Sequence, residues 1–248
     1  MALSRPIIPF DVLIWTSSHG TSFHHFPVNL GKAFNDCKHQ HKNLIKAPFV
    51  NAVPGRCMKP GFFLEVKTDL ERFDPKARRM NIILMGDNDV RCMAFPGSYR
   101  VIKQGGRLIK LHENTPHALI MCGLLPSPAT HNITSKLFDI TSRNLKDLCE
   151  ESHTTPAGQF ISYLKLSHLF NDPDGLIDYQ KYFEEDAVHL NPTGAYRLAQ
   201  YLITYAIDFA ESCQIPYGEE YADLEQNFMK PQPGPSSESP PLPKGWSY

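Results

Sequence analysis

Five short apolar runs, each separated from the next by a longer segment of mixed polarity, most strongly constrain what this chain can fold into. Such runs are typical of strands buried on both faces of a parallel sheet, because helices cover both sides of that kind of sheet. The intervening segments are long enough to carry the chain back to the same end of the sheet, as parallel strands require. The five predicted strands span residues 12–15, 49–53, 81–85, 118–125 and 160–164.

The segments between these runs have the spacing of amphipathic helices. The last helix is marked by Asn191-Pro192-Thr193, since a capping residue followed by proline is typical of a helix N-terminus. We therefore predict an α/β fold, a three-layer sandwich around a five-stranded, mostly parallel sheet. Within it, the glycine-rich stretch 103–107 is interpreted as an insertion or exposed turn. The predicted helices span residues 28–38, 61–72, 99–112, 134–152 and 193–213.

The net charge argues against a protein that binds nucleic acid or membranes through bulk electrostatic attraction. The 248 residues are 42% hydrophobic, and 25 Lys and Arg against 26 Asp and Glu give a formal net charge of −1. A near-neutral chain has no bulk attraction to nucleic acid or to an anionic membrane. The balance is uneven along the sequence, because residues 31–110 contain 16 Lys and Arg against 7 Asp and Glu. Two differently charged faces explain this better than a binding patch, although a basic patch stays open.

The cysteines and the N-terminus indicate a reducing compartment. The six cysteines contain no CxxC pair, which argues against a structural zinc site and against a disulfide framework. The first fifteen residues have one basic residue and two prolines, and they resemble neither a signal peptide nor a membrane span. We expect a cytoplasmic protein without a transmembrane segment.

The C-terminal residues differ in composition from the rest of the chain. From residue 229 onward the sequence contains six prolines and almost no core-forming residues. Such a segment buries too little apolar surface to offset its ordering entropy. We predict one domain over residues 1–228 and a flexible, proline-rich tail over 229–248. Recognition of residues 240–243 by an aromatic groove is the alternative.

Four clusters of polar residues follow predicted strands or precede the last helix. In open α/β sheets, binding and catalytic sites form at the carboxyl ends of the strands, so these clusters are expected to meet at one edge. The clusters span residues 16–20, 53–56, 86–91 and 186–191.

These clusters resemble the four sequence blocks of the SGNH, or GDSL-like, hydrolase family. Ser18 stands in the first block, Gly55 in the second, Asn88 in the Gly-Asp-Asn-Asp turn of the third, and Asp186 with His189 in the fourth. The resemblance runs over roughly residues 11–212 and implies a flavodoxin-like SGNH hydrolase fold. The third and fourth blocks are its specific part, because glycines are common in turns. Taken singly, Ser18 could cap a helix and Asn88 could form a turn.

The resemblance implies a serine esterase or acyl hydrolase that uses a Ser-His-Asp triad. Ser18 would be the nucleophile, His189 the base that accepts its proton, and Asp186 the carboxylate that orients the imidazole. The backbone N–H groups of Ser18 and Gly55 and the side-chain amide of Asn88 would form the oxyanion hole. Each such donor is typically worth about 3 kcal/mol of barrier lowering. The substrate would be a small-molecule ester, and no cofactor or metal is expected.

The first block departs from the family pattern. The chain has Thr16-Ser17-Ser18 where the family has Gly-Asp-Ser, so the glycine and the aspartate are replaced while the serine is kept. A displacement of Ser18 by about 1 Å would cost roughly a hundredfold in rate. The alternative function is therefore a catalytically lapsed SGNH-like module that binds RNA or protein, as in Oskar-like or retrotransposon-encoded domains. Arg78 and Arg79 would then be candidates for RNA contacts.

Two further residues are candidates for substrate binding. His19 follows Ser18 directly, and Arg91 comes two residues after the Gly-Asp-Asn-Asp turn, close enough to bind an anionic group of a substrate. An exposed, solvated arginine is an equally good interpretation of Arg91. The acyl and alcohol specificity and the oligomeric state are left open by the sequence.

Overall fold

The computed structural model describes residues 8–21, 25–39, 41–74, 77–115, 117–129 and 132–213. The predicted boundary at residue 229 and the proline-rich tail lie outside these residues.

The centre of the fold is a five-stranded parallel sheet with the strand order β2-β1-β3-β4-β5. This confirms the predicted α/β class and the strand number. The central strands are almost entirely buried, because their apolar residues face helices on both sides. The strands are β1 (Phe10–Thr16), β2 (Phe49–Ala52), β3 (Arg78–Leu84), β4 (Ala118–Cys122) and β5 (Ile161–Leu164).

Six α-helices of the described residues surround the sheet. The apolar residues of α1 and α6 pack in one core cluster against one face, and those of α2, α3 and α4 form a second cluster on the other face. None of the described helices has an apolar stretch that could cross a bilayer. The helices are α1 (Phe26–Asp36), α2 (Pro60–Arg72), α3 (Asp87–His112), α4 (Asn132–Ser152), α5 (Tyr179–Tyr182) and α6 (Pro192–Ser212).

Helix α3 is longer than the sequence predicts. It begins at Asp87 rather than near residue 99, and it bends sharply at Ala94, whose φ of 49° and ψ of −121° are not helical. Pro96 follows the bend and lies inside the helix. Because Pro96 has no N–H to donate to the preceding turn, a break here costs the helix less than it would elsewhere.

The prediction of an exposed turn at residues 103–107 is wrong. These residues lie in the middle of α3, and Gly105 is buried. A Cβ at Gly105 would lie 2.5 Å from a methyl carbon of Leu145 on α4. The glycine therefore allows two helices to approach closely; the sequence pattern alone resembles that of a turn.

Strand β4 ends at Cys122 rather than continuing to residue 125. Leu124 and Leu125 are buried all the same, because the chain leaves the sheet but stays inside the fold. The amide of Gly123 donates to the carbonyl of Leu164 at the end of β5. The segment that follows, residues 123–129, passes along the carboxyl edge of the sheet.

A buried chain of hydrogen bonds links β1 and β3 to α3. Trp15 Nε1 donates to Asn81 Oδ1 at 3.0 Å, so the amide nitrogen of Asn81 faces His112 Nε2, 3.1 Å away. His112 Nδ1 lies 2.8 Å from the carbonyl of Leu108, to which it can only donate. All three hydrogen bonds form together only when His112 is neutral and carries its proton on Nδ1. Burial lowers the pKa of His112 to about 4, although the Leu108 carbonyl opposes this shift.

Candidate active site

Ser18 lies on a tight turn at the carboxyl end of β1. The strand ends at Thr16, and residues 18–20 form a single 3-10 turn. Gly20 packs directly on the side chain of Thr16, where a Cβ would come within 1.8 Å of the threonine methyl carbon. Only glycine fits there, because this contact leaves no room for a side chain. The turn leaves Ser18 half-buried with its hydroxyl pointing towards His189 instead of capping a helix.

Ser18, His189 and Asp186 form a continuous chain of hydrogen bonds. The distance from Ser18 Oγ to His189 Nε2 is 3.0 Å, and the distance from His189 Nδ1 to Asp186 Oδ2 is 2.5 Å. Ser18 and His189 are 171 residues apart in the sequence. The structure therefore brings together the three residues that the sequence singled out as nucleophile, base and orienting carboxylate.

The turn that carries Asp186 and His189 is held by its own backbone. Asp186 Oδ1 accepts hydrogen bonds from the amides of Val188 and His189, both at 2.8 Å, while Oδ2 faces the imidazole. Partial burial raises the pKa of Asp186, but the N–H groups of His189 and Val188 and the imidazole outweigh it and lower that pKa to about 2. Asp186 is therefore a carboxylate at neutral pH. Ala187 closes the turn with a φ of 57°, a conformation that non-glycine residues rarely adopt.

A second segment holds this turn from outside. Ser127 Oγ donates to the carbonyl of Ala187 at 2.7 Å, and the amide of Ala129 donates to the same oxygen at 3.1 Å. Arg91 Nη1 lies 3.4 Å from Ser127 Oγ. The Nε and Nη2 atoms of Arg91 are buried and have no hydrogen-bond partner among the described residues. Arg91 is thus half-buried behind the turn, and among the described residues its side chain donates to Ser127. It is not the exposed, fully solvated arginine of the alternative interpretation.

Asn88 and Gly55 lie at the same edge of the sheet, Asn88 in the first turn of α3 and Gly55 on the loop after β2. Asn88 is the second residue of α3, and its amide nitrogen lies 3.3 Å from the carbonyl of Arg56. The adjacent Asp89 accepts a hydrogen bond from the amide of Met58 at 2.8 Å, which ties the loop after β2 to the start of α3. Burial raises the pKa of Asp89, although the Met58 amide and Arg100 oppose this shift. Gly55 is exposed in the turn of that loop, with a φ of 67°.

His19 and Asp87 form a buried pair beside the triad. His19 Nε2 lies 3.2 Å from Asp87 Oδ2, and the two side chains are 3% and 6% exposed. The ring centroid of His19 is 5.3 Å from that of His189. Burial raises the pKa of Asp87, but the hydrogen bond and charge of His19, with the charge of Arg91, lower it to a net value below normal. No local sequence pattern marks this pair, because the two residues are 68 positions apart.

Arg78 and Arg79, the candidates for RNA contacts, lie at the opposite edge of the sheet because they begin β3. Arg78 is buried, with its guanidinium 3.9 Å from the ring centre of Phe10 and a hydrogen bond to the carbonyl of Cys213. Arg79 stacks on Phe73 and forms an ion pair with Asp69 at 3.3 Å. Both cations therefore serve the fold, and part of the basic excess in residues 31–110 is internal.

Comparisons with known proteins agree with this architecture. No protein-family model and no curated protein matches the sequence. Solved structures do match. A family 3 carbohydrate esterase from Clostridium thermocellum has a TM-score of 0.57 at 13% identity, covering 82% of this chain and 98% of that chain. A lipase/acylhydrolase from Enterococcus faecalis has a TM-score of 0.54 at 12% identity, covering 80% and 96%. An acetylxylan esterase from Geobacillus stearothermophilus has a TM-score of 0.53 at 14% identity, covering 81% and 96%. This chain therefore has the α/β fold of the SGNH hydrolases.

Proposed function

We propose that this protein is a serine esterase or acyl hydrolase, with Ser18 as nucleophile, His189 as general base and Asp186 as the orienting carboxylate. The observation that carries the proposal is the hydrogen-bond chain from Asp186 through His189 to Ser18, at 2.5 and 3.0 Å. This alignment is not expected if Ser18, His189 and Asp186 only shape turns. The replaced glycine and aspartate of the first block have not displaced Ser18 from the base.

The reaction follows from the two roles of the imidazole. His189 keeps its Nδ1–H in a hydrogen bond to the Asp186 carboxylate, which stays ionised, and accepts the hydroxyl proton of Ser18 at Nε2 as Ser18 Oγ bonds to the ester carbonyl carbon. The tetrahedral intermediate collapses when the bond to the leaving oxygen breaks, and His189 returns the proton to that alcohol. Water then attacks the acyl-enzyme with His189 again as the base, which releases the acid and restores Ser18.

The developing oxyanion needs donors that are already in place. We assign this role to the backbone N–H groups of Ser18 and Gly55 and to the side-chain amide of Asn88. The hydrogen bond between Asp89 and the Met58 amide supports this assignment, because it fixes the loop of Gly55 against the first turn of α3, which contains Asn88. Donors held in this way cost no reorganisation during the reaction.

The substrate class is a small-molecule ester. The solved structures with this fold include a carbohydrate esterase, a lipase/acylhydrolase and an acetylxylan esterase. All three descriptions name ester chemistry, which is the chemistry that a Ser-His-Asp chain at an open sheet edge performs.

Covalent labelling with a fluorophosphonate probe tests the proposal directly. The wild-type protein is expected to label, and Ser18→Ala and His189→Ala are expected to abolish labelling. Asp186→Asn is expected to lower the labelling rate about 10³- to 10⁴-fold, because the amide favours the wrong imidazole tautomer. Ser17→Ala is the matched control, since the neighbouring Ser17 hydroxyl has no hydrogen-bond partner among the described residues. A folded wild-type protein that does not label, or a Ser18→Ala variant that labels normally, would refute the proposal.

A further inference from the structure

The His19–Asp87 pair joins two turns that the backbone leaves unconnected. The backbone pairing of β1 with β3 ends at Thr16 and Leu84. Beyond that point, no backbone hydrogen bond between residues 17–21 and residues 85–88 is present in the described part of the chain. The link from His19 Nε2 to Asp87 Oδ2 is therefore the polar connection between the nucleophile turn and the start of α3.

The position of each partner in the sequence gives this link its importance. His19 is adjacent to Ser18, and Asp87 is adjacent to Asn88. Ser18 supplies the nucleophile and Asn88 a proposed oxyanion donor, and both must lie within a few tenths of an ångström of their working positions around one carbonyl. A hydrogen bond between their immediate neighbours fixes the distance between the two turns.

The pair also borders the base. The His19 ring lies at an angle of 49° to the His189 ring, with 5.3 Å between centroids. His19 is only 3% exposed, so it offers almost no surface to a substrate, and its Nδ1 is buried with no partner among the described residues. Burial thus argues against the role in substrate binding that the sequence suggested for His19. The contact with His189 indicates that the ring supports the imidazole from the side.

We propose that His19 and Asp87 are positioning residues, which set the nucleophile turn and the proposed oxyanion donor of α3 in register and support the His189 ring. This inference rests on the proposed esterase function. Asp87 supplies a carboxylate next to the nucleophile turn, where Ser17 occupies the position of the first-block aspartate. The Ser17 hydroxyl cannot replace that carboxylate, because it is buried with no partner among the described residues.

The test compares labelling rates per active site. Asp87→Ala removes the acceptor, and we expect the rate constant for fluorophosphonate labelling to fall by about 10- to 100-fold. Asp87→Asn keeps an oxygen that accepts from His19, and we expect it to stay within about threefold of wild type. The end-point of labelling separates the two explanations: a positioning defect slows labelling but leaves it complete, whereas a folding defect lowers the fraction of protein that labels at all.

A second variant removes the pair without leaving a buried charge. His19→Phe combined with Asp87→Leu replaces the pair with apolar side chains of similar volume, an exchange that buried ion pairs often tolerate without loss of stability. We expect thermal stability near that of wild type and a labelling rate at least about tenfold lower. With p-nitrophenyl acetate as substrate, kcat is expected to fall while KM stays within about twofold.

The control is the His41–Glu211 pair, a histidine–carboxylate pair with the same 3.2 Å separation whose side chains are 36% and 51% exposed. His41→Phe is expected to leave the labelling rate unchanged. Wild-type rates per site in both Asp87→Ala and the double variant, or losses confined to the end-point, would overturn the positioning role while leaving the esterase proposal intact. A folded wild-type protein that does not label would overturn both.

Discussion

Acidification from pH 6.5 to pH 4 is expected to destabilise this fold through buried imidazoles, since burial lowers the pKa of His117 to about 3 and that of His112 to about 4. The contribution of His112 can be worked out separately. In the unfolded chain this side chain binds a proton near its ordinary pKa of 6.5, whereas burial in the native state lowers the pKa to about 4. Between these values the unfolded state holds more protons than the native state. The free energy of unfolding therefore falls as the pH falls through this window, and the His112 contribution levels off below about pH 4.

The size of this loss in the free energy of unfolding follows from the pKa shift of His112. Each pH unit in the window is worth about 1.4 kcal/mol for one proton, so the full shift of His112 corresponds to roughly 3 kcal/mol. This is a large share of the 5–15 kcal/mol that is typical of a native domain. The main cause of the lowered pKa is burial of the imidazole. The hydrogen bond from Asn81 acts in the same direction, because protonation of Nε2 would replace an acceptor by a donor that faces another donor.

Urea unfolding at several pH values checks this prediction. The stability of wild type is compared with that of His112→Gln, which keeps hydrogen-bonding groups but does not titrate. The variant is expected to be less stable than wild type at neutral pH and to lose about 3 kcal/mol less between pH 6.5 and pH 4. His168→Gln is the control, since His168 is exposed, and it should follow the wild-type curve. Parallel curves for wild type and His112→Gln would refute the reasoning.

Two further predictions concern close contacts around the site. A Cβ at Gly97 would lie 1.9 Å from the backbone carbonyl oxygen of Asp89, so Gly97→Ala should destabilise the fold by more than about 2 kcal/mol and slow labelling. In the same helix, the nearest contact of a Cβ at Gly106 would be at 3.7 Å. Gly106→Ala should therefore be neutral or stabilising by about 0.5 kcal/mol. Chemical denaturation measures both variants, and equal stabilities would contradict the steric argument. Ser127→Ala removes the hydroxyl that donates to the carbonyl of Ala187, and it should slow labelling about tenfold while complete labelling is still reached; an unchanged rate would show that this contact does not hold the turn of His189.

The sequence predicted the sheet well, because an apolar run between amphipathic segments has few other places in a soluble fold. It also indicated which candidate residues lie at one edge, since parallel strands place the residues after β1 and β3 there; the catalytic roles of these residues stay predictions. It failed along α3. The residues at the start of α3 are typical of turns, and Pro96 is unfavourable inside a helix. The sequence therefore did not predict that the helical segment begins before the bend at Ala94.

The supporting contacts could not be predicted for a different reason. His19 and Asp87 are 68 residues apart, and Ser127 and Ala187 are 60 residues apart. No local pattern marks either pair, because each residue type is common in turns and helices. Their partnership depends on the tertiary fold, which alone determines which side chains of different loops meet.

The order in which the parts of the triad lie along the chain has a consequence for synthesis on the ribosome. Ser18 leaves the exit tunnel early, but its base is encoded 171 residues later, and α6, which follows the base directly, supplies a large share of the apolar side chains that cover one face of the sheet. A nascent polypeptide that lacks His189 and α6 thus carries an unactivated serine and an exposed apolar face of the sheet. Nucleophilic power and protection from aggregation therefore arrive together, once the segment from His189 through α6 has been translated.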